Sequence, residues 1–233
     1  MKRLFDVVAS LAGLVLLSPV LLVLMFLVWR QDGHSPIYQG VRAARNGGTF
    51  KMNKLRSMVV HADKTGVEST GAADTRITPL GHFIRRWKID EFTQLWNVLK
   101  GDMSLVGPRP NTVKAVEGYT ERERGLLAVR PGITDFASIV FSDEGEIIKD
   151  ADDPDAAYDK LIRPWKGRLG LIYAEHVNVL LDIKLIWLTI VAIIDKPAAL
   201  KGVERELRRL GVDQEVIAVS RRDRPLVPAA PLS

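Results

Sequence analysis

Apolar residues fill almost every position from Leu4 to Trp29, interrupted by little except Asp6, Ser10, Ser18 and Pro19. A straight helix over those 26 residues is about 39 Å long, enough for the roughly 30 Å hydrocarbon layer of a bilayer. Ser18-Pro19 falls near its middle. Proline lacks an amide donor and crowds the carbonyl four residues back, which costs about 3 kcal/mol in an ordinary helix interior and kinks or breaks it. Ser18 can offer its hydroxyl to a freed carbonyl, so the interruption is tolerable in lipid. Lys2 and Arg3 precede the run, and Arg30, Arg42 and Arg45 follow it. Positive charge on both flanks favours both ends in the cytoplasm, hence a helix that enters and leaves one leaflet. A kinked helix that crosses once accounts for the same residues, and these positions alone leave the two open. The run exceeds the about 7–15 residues of a signal peptide's apolar core, and "FLVWRQDG" has no small-x-small cleavage site, so the segment is expected to be retained.

The period then changes. Residues 31–60 read as turn, strand, turn and strand, with "PIYQ" extended and Asn46-Gly47-Gly48 as a hairpin signal. Lys51, Lys54 and Arg56 recur near-alternately, which predicts Lys54 and Arg56 on one face of the second strand. Residues 61–79 have the composition of a mobile loop. "LGHFIRRWKIDEFTQLWNVLK" predicts one helix over 80–100: Phe92, Leu95, Trp96 and Leu99 follow an i, i+3, i+4, i+7 pattern, Arg86, Asp90, Gln94 and Asn97 share another face, and Gly101 ends it. "MSLVGPRP" is a short strand entering a stiff turn, 111–128 reads as a charged helix, and 154–176 is helical in pieces around Pro164. "NVLLDIKLIWLTIVAIID" (178–195) is a second apolar helix; its Asp182 and Lys184 favour an interfacial position over a crossing. A charged helix follows Pro197, and "RRDRPLVPAAPLS" is expected to be disordered.

The resulting expectation is a helix-dominated α+β chain. Residues 1–30 form the membrane helix, 31–200 a cytoplasmic domain with interfacial helices, and 201–233 a charged helix and tail. No internal repeat is visible.

At 233 residues the chain suffices for one core-bearing domain besides the membrane segment. Its formal charge of +5 suits anionic headgroups, phosphorylated substrates or nucleic acid without choosing among them. With no cysteine, disulfides, thiolate zinc sites and cysteine nucleophiles are excluded. His34, His61, His82 and His176 show no metal-ligand spacing, and no phosphate-cradling loop or dinucleotide fingerprint occurs.

Two features carry chemistry. Asp90-Glu91 are adjacent acids preceded by Arg85, Arg86 and Lys88. Adjacent helical residues point about 100° apart, so they cannot face each other across a substrate, yet both can reach one cation or phosphate. Hard carboxylate oxygens suit Mg²⁺, and a carboxylate can attack phosphorus. The plainer reading is a solvated acidic patch paired with Arg86 one turn back. In "GPRP", proline fixes its own φ and holds Gly107 and Arg109 extended, so Arg109 sits on a rigid backbone, as a phosphate-binding guanidinium requires. The plainer reading there is a structural turn. "VRPG" repeats the arrangement at Arg130.

In order along the chain stand "KRLFD", the Ser18-Pro19 interruption, "YQGVRAARNGGTFKMNKLRSM", "RRWKIDEFTQLWNVLKGDMSLVGPRP", "RPGIT" and "LLDIKLIWLTI". Together these resemble the bacterial sugar transferases, the monotopic polyprenyl-phosphate phosphoglycosyl transferases, from Lys2 to about Ile194. The resemblance implies a re-entrant helix broken at Ser18-Pro19 and an active site on the cytoplasmic face of the bacterial inner membrane. It implies transfer of a phosphosugar from a nucleotide diphosphate sugar, expected to be a UDP-sugar, to polyprenyl phosphate with release of nucleoside monophosphate. Asp90 would be the nucleophile of a covalent intermediate, with Glu91 supporting it and both acids holding Mg²⁺. Lys54, Arg56, Arg86 and Arg109 would bind phosphates, and Arg130 the donor. The partners implied are membrane lipids and the two substrates, with a homo-oligomer left open.

The chain departs from the family pattern in places. It reads "KLR" where "KFR" is usual, and Thr93 replaces the usual proline after the acidic pair. "DFASIVFSDEGE" replaces a "GWAQ"-like stretch, which leaves the donor sugar open. Competing readings are a membrane-anchored scaffold with a degenerate transferase site, and a basic domain for nucleic acid. The chain lacks the aromatic-and-basic interleaving of the latter, so no nucleic-acid partner is expected.

Overall fold

The computed structural model describes residues 1–62, 74–229 and 232. Its elements run α1 (Lys2–Asp32), β1 (Ile37–Ala43), β2 (Thr49–Leu55), α2 (Pro79–Arg86), α3 (Gln94–Lys100), β3 (Ser104–Val106), α4 (Val113–Glu117), β4 (Gly132–Thr134), α5 (Phe136–Val140), α6 (Glu144–Ile147), α7 (Pro154–Leu161), α8 (Arg163–Glu175), α9 (Val179–Ile194), α10 (Lys196–Arg209) and α11 (Gln214–Arg221). This is a helix-dominated α+β chain with a long apolar helix at its N-terminal end. Of the expected 61–79 loop, residues 63–73 lie outside the described residues, as do 230, 231 and 233 of the tail.

α1 is long and apolar enough to cross a membrane by length and composition. The expected break at Ser18-Pro19 does not end it: helical structure runs through Pro19. The reason lies in one bond. Pro19 leaves the Val15 carbonyl without its amide donor, and Ser18 Oγ donates to that oxygen at 2.8 Å. Ser10, Leu14, Leu17, Leu21, Leu24 and Val28 face inward at alternating four- and three-residue steps, in phase on both sides of Pro19. Leu4, Val8, Leu11, Val15, Leu22 and Phe26 keep the same step outward and are exposed. Each large apolar side chain left in water forgoes about 1.5–3 kcal/mol of burial, so this outer face is suited to acyl chains and compatible with a membrane anchor.

Both ends of α1 are bonded to the same body. Arg3 donates to the Val98 and Leu99 carbonyls at 2.6 and 2.9 Å, at the carbonyl end of α3, where cations are favoured. Lys2 Nζ reaches Asp182 Oδ2 at 2.6 Å, and Tyr173 Oη donates to Asp182 Oδ1 at 2.6 Å. Asp6 is buried and accepts from Ser104 Oγ and the Leu105 amide. At the other end Gly33 closes the helix in the left-handed region, φ 73°, and Asp32 forks with Arg56 at 2.5 and 2.7 Å.

β1 and β2 form the expected antiparallel hairpin, with Ala43 opposite Thr49 and Tyr38 opposite Lys54. Asn46 and Gly47 supply the positive φ of its turn, 60° and 77°. Phe50 and Met52 face the main core while Leu55 packs with Leu21, Leu24 and Val28 of α1. One face of the hairpin is therefore packed on the main core, while the other is covered at its Leu55 end and exposed at Val41 and Lys51. β3 and β4 form a separate parallel pair.

Just past β3, two backbones touch. The Gly107 amide donates to Thr134 O at 2.9 Å and the Gly132 amide to Pro108 O at 3.0 Å. A Cβ on Gly132 would sit 2.0 Å from Gly107 N, and one on Gly107 would sit 2.4 Å from Arg130 O. Gly132→Ala should therefore destabilise the fold by about 3 kcal/mol, lowering the thermal midpoint by roughly 6–12 °C. An unchanged midpoint would show that the strands do not approach this closely.

Three expectations on elements are corrected. The helix over 80–100 is two helices, α2 and α3, separated by Lys88 at φ 52° and a 3-10 turn at Ile89–Glu91. The charged helix over 111–128 is α4 plus a 3-10 turn at Glu123–Ala128, with Gly118 ending α4. The tail expected to be disordered lies along α7 and α8 over its described part: Trp165 Nε1 donates to Val227 O at 3.3 Å, and the Ala229 amide to Lys160 O at 3.4 Å. Its extended, proline-rich sequence has no period that would announce such contacts. α9 forms as the expected apolar helix, but Asp182, one of the two charges expected to mark an interfacial position, is buried against Lys2 and Tyr173. Leu181, Asp182 and Leu185 are buried, while Leu180, Ile183, Trp187, Ile190 and Ile194 form an exposed apolar stripe.

Candidate active site

Three segments distant in sequence meet at Asp90 and Glu91. Thr78 caps α2 by accepting from the Gly81 amide at 3.0 Å, with Pro79 in the first turn. Lys88 then adopts the left-handed region, which turns the chain so that Asp90 and Glu91 leave the α2 axis on a tight 3-10 turn. Thr93 Oγ1 donates back to the Asp90 carbonyl at 3.2 Å. The expected pairing of Asp90 with Arg86 along one helix is thus replaced by contacts from other elements.

β2 supplies Lys54, whose Nζ lies 3.4 Å from Asp90 Oδ2 and 3.9 Å from Glu91 Oε1. The turn after β3 supplies Arg109, held between Pro108 and Pro110, whose Nη2 donates to Glu91 Oε1 at 2.5 Å. Asn97 fixes β2 against α3: its Oδ1 accepts from the Asn53 amide at 2.9 Å and its Nδ2 donates to Lys51 O at 2.8 Å. Asn97 is fully buried, so it sets the distance between Lys54 and the acids without touching either.

The electrostatics divide the two acids. Burial alone would raise the Glu91 carboxyl, but Arg109, then Lys54 and Lys88, pull it down to about 2. Glu91 in turn holds the Arg109 guanidinium above its ordinary value, against its own burial. Glu91 is therefore a fixed, ionised counterion. Asp90 is buried with Oδ2 toward Lys54, and its Oδ1 has no hydrogen-bond partner among the described residues. That free oxygen is available to a substrate.

The other sequence-derived candidates lie elsewhere. Arg56 sits one residue past β2 and does not join the acids. It donates Nε to Ser35 O at 2.8 Å and both terminal nitrogens to Asp32, which fastens the end of α1. Arg130 donates Nε to Gly101 O at 3.1 Å and secures the left-handed turn that ends α3. Arg86 is exposed at the end of α2. It lines a cavity with Lys88.

A second charged layer escaped the sequence reading. Glu144 accepts from Lys166 Nζ at 2.6 Å. Burial opposes ionisation of Glu144, yet Lys166, Arg109 and Lys88 lower its carboxyl. Asp135 caps α5 by accepting from the Ser138 amide and hydroxyl, both at 2.7 Å, and burial raises its carboxyl. The available signal was the unusual "DFASIVFSDEGE" stretch, which contains Asp135, Ser138 and Glu144.

Among the described residues no group of three acids or histidines is placed to hold a metal. Asp90 and Glu91 still fit Mg²⁺ by donor type, since this ion commonly takes one or two carboxylates and completes its shell with water and substrate phosphate.

Comparison with known proteins bears on the family. A UDP-galactose-lipid carrier transferase of Erwinia amylovora is 41% identical over 149 residues, covering 58% of this chain and 31% of that protein. An undecaprenyl-phosphate glucose phosphotransferase of Komagataeibacter xylinus is 38% identical over 201 residues, covering 81% of this chain and 35% of that protein. A putative undecaprenyl-phosphate N-acetylgalactosaminyl 1-phosphate transferase of Bacillus subtilis is 41% identical over 128 residues, 52% of this chain and 72% of that protein. The chain thus spans about a third of the length of the first two. The sequence profile described as bacterial sugar transferase matches residues 1–196, which include α1 and every residue of the carboxylate site, and the chain belongs to that family.

Proposed function

We propose that the protein transfers a sugar 1-phosphate from a nucleotide diphosphate sugar to polyprenyl phosphate and releases nucleoside monophosphate. One observation carries this reading: a buried aspartate with one unbonded carboxylate oxygen, beside two cations and a glutamate that stays ionised. Asp90 Oδ1 attacks the sugar-bearing phosphorus, and the bond to the bridging oxygen breaks as the nucleoside monophosphate leaves. An oxygen of polyprenyl phosphate then attacks the same phosphorus, and the bond to Asp90 breaks. Lys54 and Arg109 offset the negative charge that gathers on the phosphoryl oxygens, where fixed cations in a partly dry site act most strongly. A Mg²⁺ at Asp90 and Glu91 would supply further charge neutralisation for the diphosphate. The relatives' names support an undecaprenyl-phosphate acceptor, and the Erwinia relative's name supports a UDP-sugar donor.

In this reading the protein sits on the cytoplasmic face of a bacterial inner membrane, with α1 entering and leaving one leaflet. Support comes from both ends of α1: Lys2 and Arg3 at one end and Asp32 at the other bond to the same body. The apolar stripe of α9 suits the headgroup boundary. Its reaction would open the lipid-linked stage of glycan assembly.

The test is a panel of nucleotide diphosphate sugars with polyprenyl phosphate and Mg²⁺, reading released nucleoside monophosphate. Release with at least one donor is expected. No release from any donor in the presence of acceptor would refute the reading.

A further inference from the structure

A cavity of about 150 Å³ opens beside the carboxylate site, lined by Arg86, Lys88, Ser138, Ser142 and Thr189 and, on its apolar side, Ile139, Ala192 and Ile193. Its chemistry is divided. Arg86 and Lys88 bring two positive charges, and neither has an ion-pair partner within 4.0 Å among the described residues. The three hydroxyls add hydrogen-bonding groups, although Ser138 and Thr189 already donate within the protein. The opposite wall belongs to α9, whose Ile190 and Ile194 continue outward on the exposed apolar stripe. Lys88 is shared: it is two residues before Asp90 and interacts electrostatically with Glu91 and Arg109.

From this geometry we infer that the cavity between the α2 end, α5 and α9 is the acceptor site for a prenyl phosphate, with the phosphate on Arg86 and Lys88 and the isoprenoid chain leaving along Ala192 and Ile193. The proposal rests on the transferase reading and deepens it by assigning the lipid substrate a place. A free phosphate has no use for the apolar wall, and an ordinary phospholipid headgroup has no reason to enter beside Asp90. A polyprenyl phosphate needs both walls at once. Its phosphate oxygen must reach the phosphorus carried by Asp90 while its chain stays in lipid, and Lys88 borders both spaces. The mouth does not have to hold the whole chain, because only the first isoprene unit lies within a space of this size.

The full chain in lipid nanodiscs tests this with a fluorescent prenyl phosphate as the bound probe. Farnesyl phosphate should displace the probe, whereas inorganic phosphate at the same concentration and phosphatidylglycerol vesicles should not. Lys88→Met and Ala192→Phe should each weaken probe binding about tenfold, as expected for a lost charge-assisted bond or a filled cavity. Ala192→Phe should raise the KM for polyprenyl phosphate by a similar factor. In that variant, release of nucleoside monophosphate in a single turnover without acceptor should stay within about twofold of the unaltered protein, given that a tenfold change corresponds to about 1.4 kcal/mol. Displacement by inorganic phosphate as effective as by farnesyl phosphate would overturn the site, as would unchanged binding in both variants. A photoreactive prenyl phosphate on the unaltered protein guards against misfolded variants: label should fall on 138–142 or 186–194, and label confined to α1 would overturn the assignment. Failure of the transferase reading is separately visible, because the unaltered protein would then release no nucleoside monophosphate from any donor while the binding arms still decide the cavity.

Discussion

Asp90→Asn should lower release of nucleoside monophosphate by on the order of 10⁴-fold or more, the scale on which loss of a nucleophile acts. The amide keeps the volume of the side chain and cannot form the acyl phosphate. The substitution should be mild structurally, because among the described residues the one ion pair lost from Asp90 is the 3.4 Å contact with Lys54, and Lys54 retains Glu91 at 3.9 Å. The variant is therefore expected to stay folded and to bind donor. A sharper readout is exchange of labelled nucleoside monophosphate into the nucleotide sugar without acceptor. A covalent intermediate permits that exchange, and Asp90→Asn should eliminate it. Exchange at the normal rate in the variant would remove Asp90 from the role of nucleophile.

The second large effect is on stability as well as turnover. Arg109→Met leaves Glu91, whose side chain is 13% exposed, with Lys54 as its remaining close cation. Breaking a buried pair by removing one partner costs about 3–5 kcal/mol, so the thermal midpoint should fall by roughly 10 °C or more. The sign with pH follows from the Glu91 carboxyl, held at about 2 against an ordinary value of about 4.3. A lowered carboxyl contributes stability that is complete above the unfolded value and is lost as pH falls from there towards about 2. Without Arg109, burial is less opposed, and the carboxyl takes up its proton at a higher pH. The deficit of Arg109→Met relative to the unaltered protein should be greatest near neutral pH and shrink as pH approaches about 3, where the lone carboxylate no longer has to be ionised. Adding Glu91→Gln should restore part of the lost midpoint at neutral pH. Equal deficits at neutral and acid pH would sink the pairing as the cause.

Patterns confined to one element were the ones legible in the sequence. Leu4–Trp29, the Asn46-Gly47 turn and the α9 stripe each state their own period, and the structure follows them. The 80–100 segment misled because its apolar spacing continues on both sides of Lys88. A lysine at φ 52° carries none of the glycine signal that ordinarily announces a left-handed residue. Asp90, Glu91, Lys54 and Arg109 could be named as candidates, yet their meeting depends on Asn97 bonding to Lys51 and Asn53, 46 and 44 positions away. Alternation on β2 paired Lys54 with Arg56, but the strand ends at Leu55, and the fork to Asp32 takes Arg56 away. Glu144 and Lys166 are joined across 22 positions, a separation at which periodicity says nothing.

The anchoring of α1 also bears on how the chain is made. Its first residues need partners that are synthesised late: Arg3 waits for Val98, Asp6 for Ser104, and Lys2 for Asp182, 180 positions downstream. A ribosome adding about 5–20 residues per second needs roughly 10–40 s to reach the last of these partners. Until then the hairpin is the nearest cover, where Leu55 packs against Leu21, Leu24 and Val28 and Arg56 reaches Asp32. The outward face is exposed in the finished fold as well, so on the proposed membrane reading lipid is the cover suited to it from synthesis onward.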